Sequence, residues 1–151
     1  MMIRDDVKAA QLAAMKAGDK SVVATTRLIQ AAIKNRDIEL RTASTTHDDD
    51  LVVTEVLQKM IKQRRESVEL YDKGGRPELA EAERAEIAVI ERFLPSQMSE
   101  AEAAAAIDAI ATDLGATSVK DMGRVMAALK ERHAGQLDMS KASALVKARL
   151  A

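Results

Sequence analysis

The 151-residue chain is 47% apolar, yet it holds one Phe, one Tyr, no Trp and no Cys, and its formal net charge is −1. The length suits one domain or two small ones. Without cysteine, disulfides, thiolate metal sites and a Cys nucleophile are excluded, and a core of Ala, Leu, Ile, Val and Met favours helix packing over sheet.

In chain order, the apolar spacing predicts seven helices. The first runs from Ile3 to Ala17, with Ile3, Val7, Ala10 and Ala14 on one side and Gly18 as its stop. The second covers Asp19 to Thr42, burying Val22, Thr26, Ile29, Ile33 and Leu40. A polar loop spans Thr42 to Asp50, and Asp48 to Asp50 supply the cap and early negative charge of the third helix. That helix covers Leu51 to Lys73, with Val53, Leu57, Met60, Val68 and Tyr71 on its apolar face, and Gly74-Gly75 end it. Pro77 opens the fourth helix, which carries Leu79, Ala82, Glu86, Val89 and Phe93 up to Pro95. Pro95 cannot continue a helix and disfavours helical geometry at Leu94, so the chain is expected to divide there. A capping box, Ser99 with Glu102, starts the fifth helix, which runs to Leu114. Ser118 is read as the cap of the sixth, with Val119, Met122, Val125, Met126 and Leu129 buried and Gly135 at its end. Asp138 caps the seventh, which buries Met139, Ala142, Leu145, Val146 and Leu150. The expected fold is all-α in two helical subdomains, four helices over residues 1–95 and three over 96–151.

The chemistry is sparse. His47 and His133 are far apart and neither sits in a ligand motif. No Gly-rich loop follows a strand, so neither a P-loop nor a dinucleotide fingerprint is present. No apolar run follows Arg4, Asp5 and Asp6, and no segment approaches the roughly 18 apolar residues of a spanning helix. These features predict a cytoplasmic protein without a membrane partner, a metal or a cofactor.

Charge is distributed more informatively. Residues 96–116 hold Glu100, Glu102, Asp108 and Asp113 and no base, whereas residues 117–151 hold seven bases against Asp121, Glu131 and Asp138. The basic end suits phosphate. Lys120 and Arg124 are four apart and are read onto one face of the sixth helix, Lys130, Arg132 and His133 close it, and Lys141 opens the next. Gly123 sits inside a helix at a cost of about 0.8–1 kcal/mol relative to Ala; it is read as a close approach by another helix or by a ligand backbone. A second basic stripe, Lys20, Arg27, Lys34 and Arg41, recurs every seven residues along the second helix, drifting only about 20° per step. It fits either a nucleic-acid backbone or a solvated face. Lys59, Lys62, Arg64 and Arg65 form a third cluster, with Arg65–Glu69 and Lys62–Glu66 expected as intrahelical pairs.

The order of motifs resembles the GatB/YqeY family. The resemblance is carried by Ala14-Met15-Lys16-Ala17 before Asp19-Lys20, by Arg27-Leu28 with Ala31-Ala32-Ile33-Lys34-Asn35, and by Lys62-Gln63-Arg64-Arg65-Glu66-Ser67. It continues through Gly75-Arg76-Pro77-Glu78-Leu79-Ala80, Glu83, Glu86-Ile87 and Leu94-Pro95 to Lys120-Asp121-Met122-Gly123-Arg124-Val125-Met126. Residues 132–138 depart from the more basic run of relatives. The resemblance implies a two-part helical fold, a bacterial source, and kinship with the tail of GatB, a subunit of the glutamine-dependent Asp/Glu-tRNA amidotransferase, which holds tRNA. The family label is carbon–nitrogen ligase with glutamine as amido donor. This chain has no Gly/Ser-rich amidase sequence and no phosphate-binding motif, so no catalytic residue is assigned. The expectation is a tRNA-binding module whose Lys120, Arg124, Lys130, Arg132, Lys141 and Lys147 meet backbone phosphates. Its partners would be tRNA and a tRNA amidotransferase or aminoacyl-tRNA complex. The alternative is a protein–protein adaptor using Met122, Met126 and Met139.

Overall fold

Capping chemistry sets most helix boundaries. In the computed structural model, which describes residues 2–42 and 48–151, the chain forms α1 (Ile3–Ala17), α2 (Lys20–Leu40), α3 (Asp49–Lys73), α4 (Pro77–Glu91), α5 (Glu100–Leu114), α6 (Met122–Arg132) and α7 (Met139–Leu150). A 3-10 turn, Val119–Asp121, precedes α6, and the described residues contain no strand. The chain is all-α. Gly18 ends α1 at φ 73°, a left-handed conformation that glycine adopts at little cost. Asp19 accepts from the Val22 amide and Asp48 from the Leu51 amide, capping α2 and α3. His47 lies outside the described residues.

The end of α4, its buried face and the start of α6 differ from expectation. Helix α4 stops at Glu91, and the Phe93 and Leu94 amides close tighter turns onto the Ile90 and Glu91 carbonyls at 3.1 and 3.2 Å; the restriction that Pro95 imposes is met by an early exit. Along α4 the buried face holds Ala80, Val89 and Ile90, while Ala82 is exposed. Ser118 does not cap α6, since its side chain makes no capping bond. Asp121 occupies that position, and its carboxylate turns back to accept from the Thr117 amide at 3.1 Å. Val119 consequently sits exposed in the 3-10 turn instead of on the buried face of α6.

Contacts divide the chain into two units, Met1–Leu94 and Pro95–Ala151. The first unit packs Ile3, Val7, Ile29, Ile33, Val53, Leu57, Met60, Ile61 and Ile90 into one cluster. Ion pairs brace its edges. The Arg4 guanidinium spans Asp37 at 2.7 and 2.9 Å and Asp49 at 2.8 Å, and the Ile3 amide donates to Asp50 at 2.8 Å, so α1 begins on carboxylates of α2 and α3. Between α3 and α4, Arg64 meets Glu86 at 2.7 Å, Arg65 meets Glu91 at 3.2 Å and Asp72 meets Arg84 at 2.5 Å. The expected Arg65–Glu69 pair does not form: α4 offers Arg65 a carboxylate across the seam, and Glu69 pairs with Lys73 at 3.3 Å.

The second unit has its own cluster, including Ile107, Ile110, Val125, Leu129, Leu137, Val146 and Leu150. Ser99 and Glu102 complete both halves of the capping box at 3.1 Å each.

Candidate nucleic-acid interface

The basic end of the second unit is built around the α6–α7 connection. Its backbone is fixed by three bonds: the Gln97 amide group donates to the Gly135 carbonyl at 2.8 Å, the Met98 amide to Gln136 at 3.0 Å, and the Gln136 amide to His133 at 3.1 Å. Leu137 is buried beneath it and Asp138 caps α7 by accepting from the Ser140 amide at 2.8 Å. Lys130 and Arg132 in the last turn of α6 and Lys141 in the first turn of α7 therefore flank a braced loop.

The six expected cations do not form one stripe. Lys120 lies in the 3-10 turn, where about three residues complete a turn, so it loses the helical four-residue relation to Arg124. Around α6, Arg124 is turned about 120° from Lys130, and around α7, Lys147 is turned about 120° from Lys141. What separates them is pairing. Arg124 holds Asp121 at 2.8 Å, and Arg132 holds Asp113 of α5 at 3.1 Å. The Arg124 guanidinium, helped by the Thr117 amide, keeps the Asp121 carboxyl below the usual range. Lys120, Lys130, Lys141 and Lys147 are exposed, and among the described residues no carboxylate holds them. With Arg149 on Asp108 at 2.6 Å, three acids of this unit are taken by arginines.

Gly123 is exposed, and a methyl added there would meet nothing within 4 Å. The expected close helix contact is absent. The three methionines of the adaptor reading, Met122, Met126 and Met139, are partly buried against the core cluster, which engages the faces that a partner would need. The stripe Lys20, Arg27, Lys34 and Arg41 is exposed along α2 in the first unit. No group of three or more His, Asp or Glu side chains among the described residues is placed to hold a metal ion. The arginine–carboxylate ties across helices were not foreseen. They depend on which helices become neighbours, and no local spacing encodes that.

The chain is 32% identical over 118 residues to altered inheritance of mitochondria protein 41, mitochondrial, of Eremothecium gossypii, covering 76% of this chain and 60% of that protein. It is 33% identical over 103 residues to the protein of the same name from Lachancea thermotolerans, covering 67% and 54%. It is also 33% identical over 88 residues to an uncharacterized protein of Schizosaccharomyces pombe, covering 58% and 68%. The chain thus spans a little over half to about two thirds of the length of the curated relatives it matches. These relatives are eukaryotic and two are named as mitochondrial, which overturns the bacterial source and the cytoplasmic location expected from the sequence. The lack of a spanning segment suits more than one compartment and does not carry the location, and the bacterial source rested on the resemblance alone. A family model described as Yqey-like protein matches residues 3–150, nearly the full length, and on this match the chain belongs to the YqeY-like family.

Proposed function

We propose that the chain is a non-catalytic tRNA-holding module that assists glutamine-dependent tRNA amidation without performing the chemistry. The observation that supports this reading is the sorting of cations in the second unit. Arginines neutralise Asp108, Asp113 and Asp121, and Lys120, Lys130, Lys141 and Lys147 remain solvent-facing. Point charges on flexible stems suit phosphates, and with so few aromatics base stacking is not the mode of contact. The braced loop between Lys130 and Lys141 limits the ordering needed on binding.

The test is a salt titration of tRNA binding. Four lysine–phosphate contacts predict that log affinity falls with log salt at a slope of roughly −3 to −4. A flat response, or no binding at low salt, contradicts the reading.

A further inference from the structure

The α1–α2 hairpin has an outer face that sets exposed apolar side chains among exposed cations. Taking about 100° per residue, the buried residues of α1, Ile3, Val7 and Ala14, share one narrow arc, and Lys8, Leu12 and Met15 share another, well away from it. On α2, the exposed Lys20, Arg27, Lys34 and Arg41 share an arc with Ile38. Two contacts fix how these arcs relate: Arg4 pairs with Asp37, and Gln30 donates to Gln11. On each helix these seam residues fall between the buried arc and the exposed one. Both exposed arcs therefore turn to the same outer side of the hairpin.

That side carries large apolar groups that the fold leaves in water. Leu12 is 60% exposed, Met15 52% and Ile38 47%. Around them stand Lys8, Lys16, Lys20, Arg27, Lys34 and Arg41, all exposed. No carboxylate among the described residues is within ion-pair distance of Lys8, Lys16, Lys20, Arg27 or Lys34. The neighbouring acids are Asp5, Asp19 and Asp37, and Asp37 is committed to Arg4.

We propose that this face docks onto an anionic lipid surface. A phosphate backbone would use the cations and leave Leu12, Met15 and Ile38 in water. A bilayer interface uses both, taking apolar side chains below the headgroups and basic ones at their level. Two antiparallel helices side by side present a broad face, and α2 alone spans about 32 Å at 1.5 Å per residue. No helix of the described chain is long and apolar enough to cross a membrane, and surface docking requires none. This goes beyond the expectation of no membrane partner, which rested on the lack of a spanning segment.

The experiment is cosedimentation of the full chain with phosphatidylcholine vesicles, with and without phosphatidylserine. Two variants accompany it, Leu12→Ser with Met15→Ser, and Lys20→Glu with Arg27→Glu. All four positions are exposed, and helical circular dichroism checks that each variant folds. The expected result is binding only to the anionic vesicles, weakened about tenfold or more by either variant, since both burial and charge contribute. Equal binding to neutral vesicles, no binding to anionic vesicles, or binding unchanged by the serine variant overturns the proposal. So does tRNA binding that the glutamate variant abolishes and the serine variant leaves intact, which would assign the stripe to nucleic acid.

Discussion

Both units tie their helices with arginines, and they differ in which cations they leave exposed. In the first, arginines tie helices together: Arg4 joins α1 to α2 and α3, and Arg64, Arg65 and Arg84 join α3 to α4. In the second, Arg132 and Arg149 tie α6 and α7 to α5. Lysines stay largely outside this lattice, with Lys73–Glu69 an intrahelical exception. A planar guanidinium can hold two carboxylates in fixed geometry and an ammonium cannot. Counting cations in the sequence therefore overstates what is free to meet a ligand. The lesson differs between units, because Arg27 and Arg41 in the first remain on the exposed stripe.

The largest expected effect tests whether the units are separate. Leu57 and Leu129 are each fully buried, in different clusters. Truncating either to Ala should cost its own unit about 2–5 kcal/mol. Differential scanning calorimetry should show Leu129→Ala lowering one transition and leaving the other in place. A single transition that shifts as a whole with either variant would break the comparison.

A smaller effect comes from the Arg4 tie. The Arg4 guanidinium holds the Asp37 carboxyl below its ordinary range. A carboxylate with a depressed folded pKa stabilises fully above its unfolded pKa, and that stability is lost as pH falls through the folded value. Arg4→Met should therefore cost about 1 kcal/mol near neutral pH, a modest figure because the pair is partly exposed. The difference from wild type should shrink below about pH 4. Urea midpoints across that range check it, and a difference that grows on acidification would contradict the assignment.

These effects separate what the sequence encodes from what it does not. Caps, Gly stops and the apolar faces of α1, α2 and α7 are local, and the residues at 99, 102, 18 and 138 announce them. The capping of α1 by Asp50 is not local, since its partner lies 47 residues away. The 3-10 turn was missed because Ser118 and Asp121 imitate a capping pair, while Asp121 in fact serves Thr117 and Arg124. Of the candidate interface, the cations can be read from the sequence, and which of them a carboxylate holds cannot.

Gly123 gives the smallest effect and a change of sign. With open space around its α-carbon, Gly123→Ala should stabilise the second unit by up to about 1 kcal/mol through helix propensity. A lowered melting temperature would restore the close-contact reading.

The most direct measurement sets a paired cation against an unpaired one. Salt slopes of tRNA binding should be compared for Lys130→Ala and Arg124→Ala. If the free lysines meet phosphate, the lysine variant reduces the slope by roughly 0.7–0.9, and the arginine variant leaves it nearly unchanged. Equal reductions, or a loss confined to Arg124→Ala, would contradict the sorting of cations on which the tRNA-holding reading rests.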